Sequence, residues 1–284
     1  MTGSLRSLLV GSLPLLERLA YQLRRIGLGK LVDAVSARTH RLEFEIAVGV
    51  HTVAGYNRSH LTYVRDVLEL GREQHLAELL SSAARPGSTI VDAGAYIGLL
   101  TLVAAAAVGR EGHVLAIEPE PENRKALRRN ISLNGYDDRV EIFPEALSDR
   151  QGEARFYSTL ASDTSSLFGS REAHDEMTVT LATGDQLFAA YDVDVVKIDL
   201  EGGEVAALRG MHDVLARCRP ILFVECNPHA LQVAGSSADE LIKQLTDAGY
   251  GVTWIDENKR ELRGLHEHWD SEYVNLYCEP TAPL

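Results

Sequence analysis

Val91-Asp92-Ala93-Gly94-Ala95-Tyr96-Ile97-Gly98 closes a short β-rich run, Ser88–Asp92, and leads straight into the apolar stretch Leu99–Val108. A strand, a glycine turn and a helix in that order open a βαβ unit, because the two glycines let the backbone turn tightly and approach a ligand closely. The pattern continues downstream. Gly109–Gly112 breaks the helix, His113–Glu118 reads as a second strand, Pro121–Asn134 as an amphipathic helix with Leu127 and Ile131 inward, and Val140–Ala146 as a third strand. Asp194–Leu200, Ile221–Cys226 and Gly251–Ile255 supply three more strands, with helices over Glu204–Ala216 and Ser237–Ala248, and Val274–Cys278 is expected to close the sheet. Strands alternating with helices form right-handed crossovers. The expected fold is therefore α/β, a doubly wound, mostly parallel Rossmann-like sheet that binds its ligand at the carboxyl ends of the strands.

Upstream the alternation is lost. Leu42–Val48 reads as a strand, Gly49–Tyr63 as a loop or short strands, and Glu73–Ala84 as a helix ended by Arg85-Pro86-Gly87. The chain thus divides into an N-terminal helical and β extension, residues 1–70, expected to shape an acceptor pocket, form a lid or mediate oligomerisation, and a main domain, residues 71–284, expected to bind the ligand. Leu5, Leu9, Leu13, Leu16, Ala20 and Leu23 share one helix face, flanked by Arg6, Arg18, Arg24 and Arg25 and interrupted by Pro14. Two readings of that face stand: a helix docking on the main domain or on a second subunit of a homo-oligomer, and a peripheral membrane helix touching lipid. Its apolar core is too interrupted for a signal peptide. No stretch reaches the roughly 18 consecutive apolar residues of a membrane span.

Of the 284 residues 45% are hydrophobic and 24% charged, which suits a globular chain with a sizeable core. Cys218, Cys226 and Cys278 make neither an even disulfide set nor a close metal-ligand pair, so a reducing cytoplasm is expected. A formal net charge of −13 argues against a nucleic-acid partner, which needs clustered Lys and Arg.

Asp92 is the informative residue of the glycine turn. A dinucleotide would set its pyrophosphate here, where a carboxylate repels it, and the spacing departs from G-x-G-x-x-G. A donor bearing an ammonium group, such as S-adenosylmethionine, is attracted instead. Asp92, Gly94, Ala95, Tyr96, Gly98 and Thr101 are the candidate cofactor cradle. Glu118 ends the second strand, placed to accept hydrogen bonds from both ribose hydroxyls of an adenosine cofactor, with Pro119 stiffening the turn. Glu145 and Ala146 leave the third strand where the base would lie. The Ser- and Thr-rich stretch Ser158–Ser170 reads as a mobile loop able to cover a site.

Val195-Val196-Lys197-Ile198-Asp199-Leu200-Glu201-Gly202-Gly203-Glu204 is the densest chemical signal. Alternation puts Lys197 and Asp199 on one strand face, with Glu201 just beyond the strand end. The next strand ends in Glu225-Cys226-Asn227-Pro228. Lys197 with Asp199 or Glu225 is either a structural ion pair or part of a reacting centre, in which Asp199 or Glu201 serves as base. Asp199, Glu225 and Asn227 are an alternative ligand set for Mg²⁺. Glu204 complements its helix dipole. His51, His60, His174 and His229 lie in expected loops, with His229 best placed for catalysis.

VDAGAYIGLLT, AIEPEPENRKALRRNISLNG, EALSDRQGEARFY, VVKIDLEGGEVAALRG and FVECNP together resemble, in order and spacing, the FkbM family of methyltransferases, over about residues 85–230. The resemblance implies a class I, S-adenosylmethionine-dependent O-methyltransferase acting on a hydroxyl of a sugar, glycolipid or polyketide-type natural product. It implies cofactor contacts at Asp92, Gly94, Gly98, Glu118 and Ala146, and places Asp199, Glu201 and Glu225 around the reacting centre. The family usually carries Asn where this chain has Tyr96. Two other functions compete: an NAD-dependent oxidoreductase, and a non-catalytic binding or dimerisation module.

Overall fold

The computed structural model describes residues 43–159, 166–168, 173–267 and 272–281. The leucine-rich N-terminal face and most of the Ser158–Ser170 stretch lie outside these residues. In chain order, the extension contributes a hairpin of β1 (Phe44–Val48) and β2 (His51–Gly55), then helix α1 (Arg58–Leu70), and the main domain opens with α2 (Gln74–Ala83). The alternating part follows as β3 (Thr89–Ala93), α3 (Leu99–Val108), β4 (His113–Ile117), α4 (Pro121–Leu133) and β5 (Val140–Phe143). A small arm comprises β6 (Ala146–Leu147), β7 (Gly152–Thr159) and β8 (Ala173–Ala182), followed by a short α5 (Gly184–Leu187). The second half holds β9 (Val195–Ile198), α6 (Glu204–Arg209), α7 (His212–Cys218), β10 (Ile221–Cys226), α8 (Pro228–Val233) and α9 (Ala238–Asp247). It ends in β11 (Tyr250–Asp256), β12 (Glu261–Gly264) and β13 (Val274–Pro280).

Eight strands form one sheet in the order β12-β11-β13-β10-β9-β3-β4-β5. β10, β9, β3, β4 and β5 are mutually parallel. Their near-continuous Val, Ile and Leu runs follow from burial on both faces. Ile90, Val114, Val195 and Phe223 point to one face, against Leu76 and Leu80 of α2 and Leu100 and Ala104 of α3. Val91, Leu115, Val196 and Leu222 point to the other, against Leu208 of α6, Val214 of α7 and Leu241 of α9. Successive strands run outward from β3 in one direction and from β9 in the other, so the topological switch point lies between those two. This is the Rossmann-like α/β fold of class I methyltransferases.

The structure departs from the expected strand plan in several places. β13 does not close the sheet at an edge. The α9 crossover carries β11 one position beyond β10, and β13 returns antiparallel into the gap, paired with both. The third strand stops at Phe143, because Ala146 and Leu147 leave for the arm and pair with β8. The Glu204–Ala216 helix is two helices, interrupted at Gly210-Met211. Arg58–Leu70, expected as loop in part, is helical: the Asn57 side chain accepts from His60 N–H and caps it. No helix among the described residues is long and apolar enough to cross a membrane.

The hairpin and α1 share a core with the main sheet's helices, where Val53, Tyr63 and Val64 meet Ile97, Leu102 and Ala126. Two amides on α4 complete the join. Asn130 Oδ1 accepts from Ala54 N–H at 2.6 Å, and its Nδ2 donates to the Ala54 and Ile97 carbonyls. One turn on, Asn134 Oδ1 accepts from Thr52 N–H and its Nδ2 donates to the Thr52 carbonyl. At i and i+4 the two side chains lie on one helix face and serve alternate residues of β2 as a neighbouring strand would. Asn130 has no solvent exposure, so Asn130→Ala leaves buried backbone groups unpaired. We expect it to cost about 2–4 kcal/mol in urea denaturation, and a loss below about 1 kcal/mol would show that the hairpin does not depend on this amide.

Candidate active site

Three strand ends meet at the switch point. Gly94, just past β3, has φ +80°, and a Cβ there would stand 1.8 Å from the Asp199 carbonyl oxygen, so the turn can lie against the end of β9 only because this residue has no side chain. Gly98 is likewise left-handed and packs against Leu127. Lys197 holds the same junction from below. Its Nζ donates to the Gly94 carbonyl at 3.0 Å and sits 3.5 Å from both Asp92 Oδ1 and Asp199 Oδ2. Burial lowers the lysine pKa, but the carboxylates of Asp199, Asp92, Glu73 and Glu225 more than offset it and hold it above its ordinary value. Lys197 is therefore charged.

Asp92 is turned into this buried cluster. It is 1% exposed, and its Oδ2 accepts from Thr101 Oγ1 at 2.5 Å. Its charge is balanced by Lys197 inside the protein, so the electrostatic contrast between an ammonium and a pyrophosphate ligand, expected from Asp92, is not exerted across an open cleft.

Glu118 lies beside the same turn, at the end of β4. Its Oε2 accepts from Tyr96 N–H and its Oε1 from Glu120 N–H, both at 2.8 Å, with Asn123 Nδ2 at 3.4 Å from Oε1. Burial pushes the carboxyl up to about 8, against the pull of these donors. Tyr96 has φ 52°, a left-handed conformation that Asn tolerates better than Tyr. The rings of His60 and Tyr63 pack edge-on against it, with centroids 5.3 and 5.2 Å away.

Across the cleft, Asp199, Glu201 and Glu225 bring carboxylate oxygens within 4.8 Å of one another, a set that can hold a divalent cation. Glu225 is 5% exposed and its Oε2 has no hydrogen-bond partner among the described residues; burial and the neighbouring Asp199, Glu201 and Glu204 push its pKa well up. Glu204 reaches back over its own helix start, accepting from Leu200 and Gly202 N–H, and burial raises it to about 7. Asn227 stays out of the acidic group, because its Oδ1 accepts from Ala230 N–H and caps α8.

Gly94, Ala95, Tyr96, Glu118, Pro119, Ala146, Lys197, Asp199 and Glu201 line one cleft with about 900 Å³ of space, part of it open to solvent. Asp92, Gly98, Thr101, Glu145, Glu225 and Asn227 are outside that lining. The sequence reading gave the extension a share in the acceptor pocket without naming its residues, and it did not foresee Arg72 and Glu73 just beyond it. Tyr63, Arg72 and Glu73 face the cleft, as do Asn123 and, from the arm, Phe156 and Leu167. Glu73 has φ 57° at the start of α2, and instead of capping that helix its carboxylate accepts from Tyr63 Oη at 2.8 Å. Burial raises its pKa, Arg72 and Lys197 lower it, and Asp199 raises it again. His51 and His60 are buried and neutral, lowered by burial, and bond Tyr136 and Asn123 respectively. His229 is exposed and outside the cleft lining, and the side chain of His174 lies outside the described residues.

The sheet order, with its cleft at the switch point, is that of the class I methyltransferase fold. The Methyltransferase FkbM domain matches residues 92–252, and the chain belongs to that family. Hexuronic acid methyltransferase AglP of Haloferax volcanii is 27% identical over 205 residues, which cover 69% of this chain and 77% of AglP. Arsenite methyltransferase of Halobacterium salinarum is 28% identical over 221 residues, 77% of this chain but only 51% of that protein. The crystal structure of methyltransferase FkbM from Methylobacillus flagellatus KT has 14% identity and a TM-score of 0.46, covering 79% of this chain and 56% of that one.

The clamp at the switch point is open to a direct test. Lys197→Met leaves the buried Asp92 carboxyl group without its counter-ion, and we expect a loss of about 3–5 kcal/mol in urea denaturation. Adding Asp92→Asn to that variant should restore part of the loss, whereas additive losses would show that the two side chains are not coupled.

Proposed function

We propose that this protein is an O-methyltransferase that uses S-adenosylmethionine to methylate a hydroxyl of a small molecule such as a sugar, a glycolipid or a polyketide-type natural product. The observation that carries the reading is one cleft with the glycine turn and Glu118 on one side and Asp199 and Glu201 on the other. The donor set fits. Glu73, Glu118, Asp199 and Glu201 offer carboxyl groups to a ligand that carries a sulfonium, an ammonium and two ribose hydroxyls, and Arg72 and Lys197 stand beside them for its carboxylate. The name of AglP supports a sugar acceptor.

Bound S-adenosylmethionine supplies an electrophilic methyl group. Glu118 accepts the ribose hydroxyls, the Gly94–Ala95 turn carries the methionine half, and Ala146 leaves room for the base. Asp199 and Glu201 orient the acceptor hydroxyl, and one of them takes its proton as the oxygen is methylated. Orientation contributes the most, up to about 7–11 kcal/mol, and a general base adds roughly 10²–10⁴-fold.

Calorimetric titration with S-adenosylhomocysteine and with NAD⁺, followed by transfer of labelled methyl to a panel of hydroxylated acceptors, tests the reading. NAD⁺ binding in place of S-adenosylhomocysteine would overturn it. Repeating the titration with Mg²⁺ reads whether the Asp199–Glu201–Glu225 group takes a cation. A pH series is more specific. Only the ionised carboxylate accepts on both oxygens, so affinity for S-adenosylhomocysteine should rise as pH increases through about 8, the value burial gives Glu118. Glu118→Gln should weaken binding about 10–100-fold and flatten that rise.

A further inference from the structure

His60 is 1% exposed, belongs to α1, and lies outside the residues matched by the family domain. Its tautomer is set by its neighbours. Tyr56 N–H donates to Nδ1 at 3.2 Å, so Nδ1 is the acceptor and the ring proton resides on Nε2. Asn57 Nδ2 and Asn123 Oδ1 both approach Nε2, at 3.2 and 3.0 Å. An amide nitrogen only donates, so Asn123 Oδ1 receives the Nε2 proton. With its oxygen committed to His60, Asn123 turns its NH₂ group the other way, toward Glu118 Oε1 at 3.4 Å and Glu120 Oε2 at 3.1 Å. The reverse amide orientation would set an oxygen against both carboxylates. A second route from α1 runs through the rings of His60 and Tyr63 to Tyr96, whose backbone N–H donates to the other oxygen of Glu118.

We infer that His60 is a positioning residue for cofactor binding: through Asn123 it fixes the Glu118 carboxylate in the orientation that receives the ribose hydroxyls. This rests on the reading of Glu118 as the ribose acceptor. The extension thereby sets the affinity of a ribose contact, Glu118, that belongs to the family domain. His60 itself does not line the cleft.

The test measures S-adenosylhomocysteine affinity by calorimetry on folded full-length variants, with urea denaturation alongside. His60→Leu and Asn123→Ala should each weaken binding about three- to tenfold, and the double variant should be no weaker than either alone, because both cut one chain of hydrogen bonds. His60→Gln, which returns an N–H donor near the position of Nε2, should bind within about twofold of the wild type. Loss of stability with unchanged affinity would make His60 a packing residue and overturn the inference, as would losses that multiply in the double variant. Where His60→Leu fails to fold, His60→Phe takes its place, because it keeps a ring against Tyr96 and loses only the Nε2 donor; the same loss is expected, and unchanged affinity overturns the inference. Unchanged affinity in Glu118→Gln would instead overturn the ribose reading on which the inference stands.

Discussion

One ammonium group at the switch point sets the geometry on which the cleft depends. Lys197 is the last cation before β9 ends, and it reaches the Gly94 carbonyl and the carboxylates of Asp92 and Asp199 from beneath the sheet's carboxyl edge. A buried charge is tolerated only where opposite charge and hydrogen bonds surround it. Here that requirement draws the β3 turn against the β9 turn until only a glycine fits between them. The cleft floor, the presentation of Asp199 and the left-handed run through Gly94 and Tyr96 follow from that contact.

The extension is joined to this centre by shared apolar core and by directed polar contacts. Asn130 and Asn134 hold the hairpin, while His60, Tyr63 and Glu73 reach the wall of the cleft or the residues behind it. Two strained positions, Tyr96 and Glu73, sit where those contacts converge. Left-handed conformation in a non-glycine residue persists when the surroundings over-determine it. For Tyr96 the surroundings are the two α1 rings. For Glu73 they are Tyr63 and the cations Arg72 and Lys197.

The alternating half of the fold was legible because period-2 strands and glycine breaks are local signals. The helix over Leu99–Val108 and the strands ending at Asp92 and Glu118 fall where apolar runs and turns place them. The neighbourhood of Asp199, Glu201 and Glu225 was also legible, since adjacent parallel strands bring their carboxyl ends together. What was not legible depends on tertiary contact. Whether Asp92 faces a ligand or a lysine is decided by a strand about 100 residues away, which local patterning does not weigh. Asn227 carries the signature of a helix cap as plainly as that of a metal ligand, with Pro228 following it at the first helical position. A share of the extension in the acceptor pocket was expected, but nothing local indicated that Tyr63 and Glu73 would meet across Gly71.

The position of β13 governs how the chain assembles. β10 and β11 are not paired with each other; each is paired with β13, which follows both in sequence. As the polypeptide emerges from a ribosome, the β5-β4-β3-β9-β10 block can form as soon as its own residues are available. β11 and β12 must wait as a separate ribbon until residues 274–280 slide between the two halves. Completion is thus a late, long-range event of the kind that slows folding and leaves strand edges exposed meanwhile. The edge that β13 covers is β10, which carries Glu225, so the acidic side of the cleft is complete only once β13 has paired there.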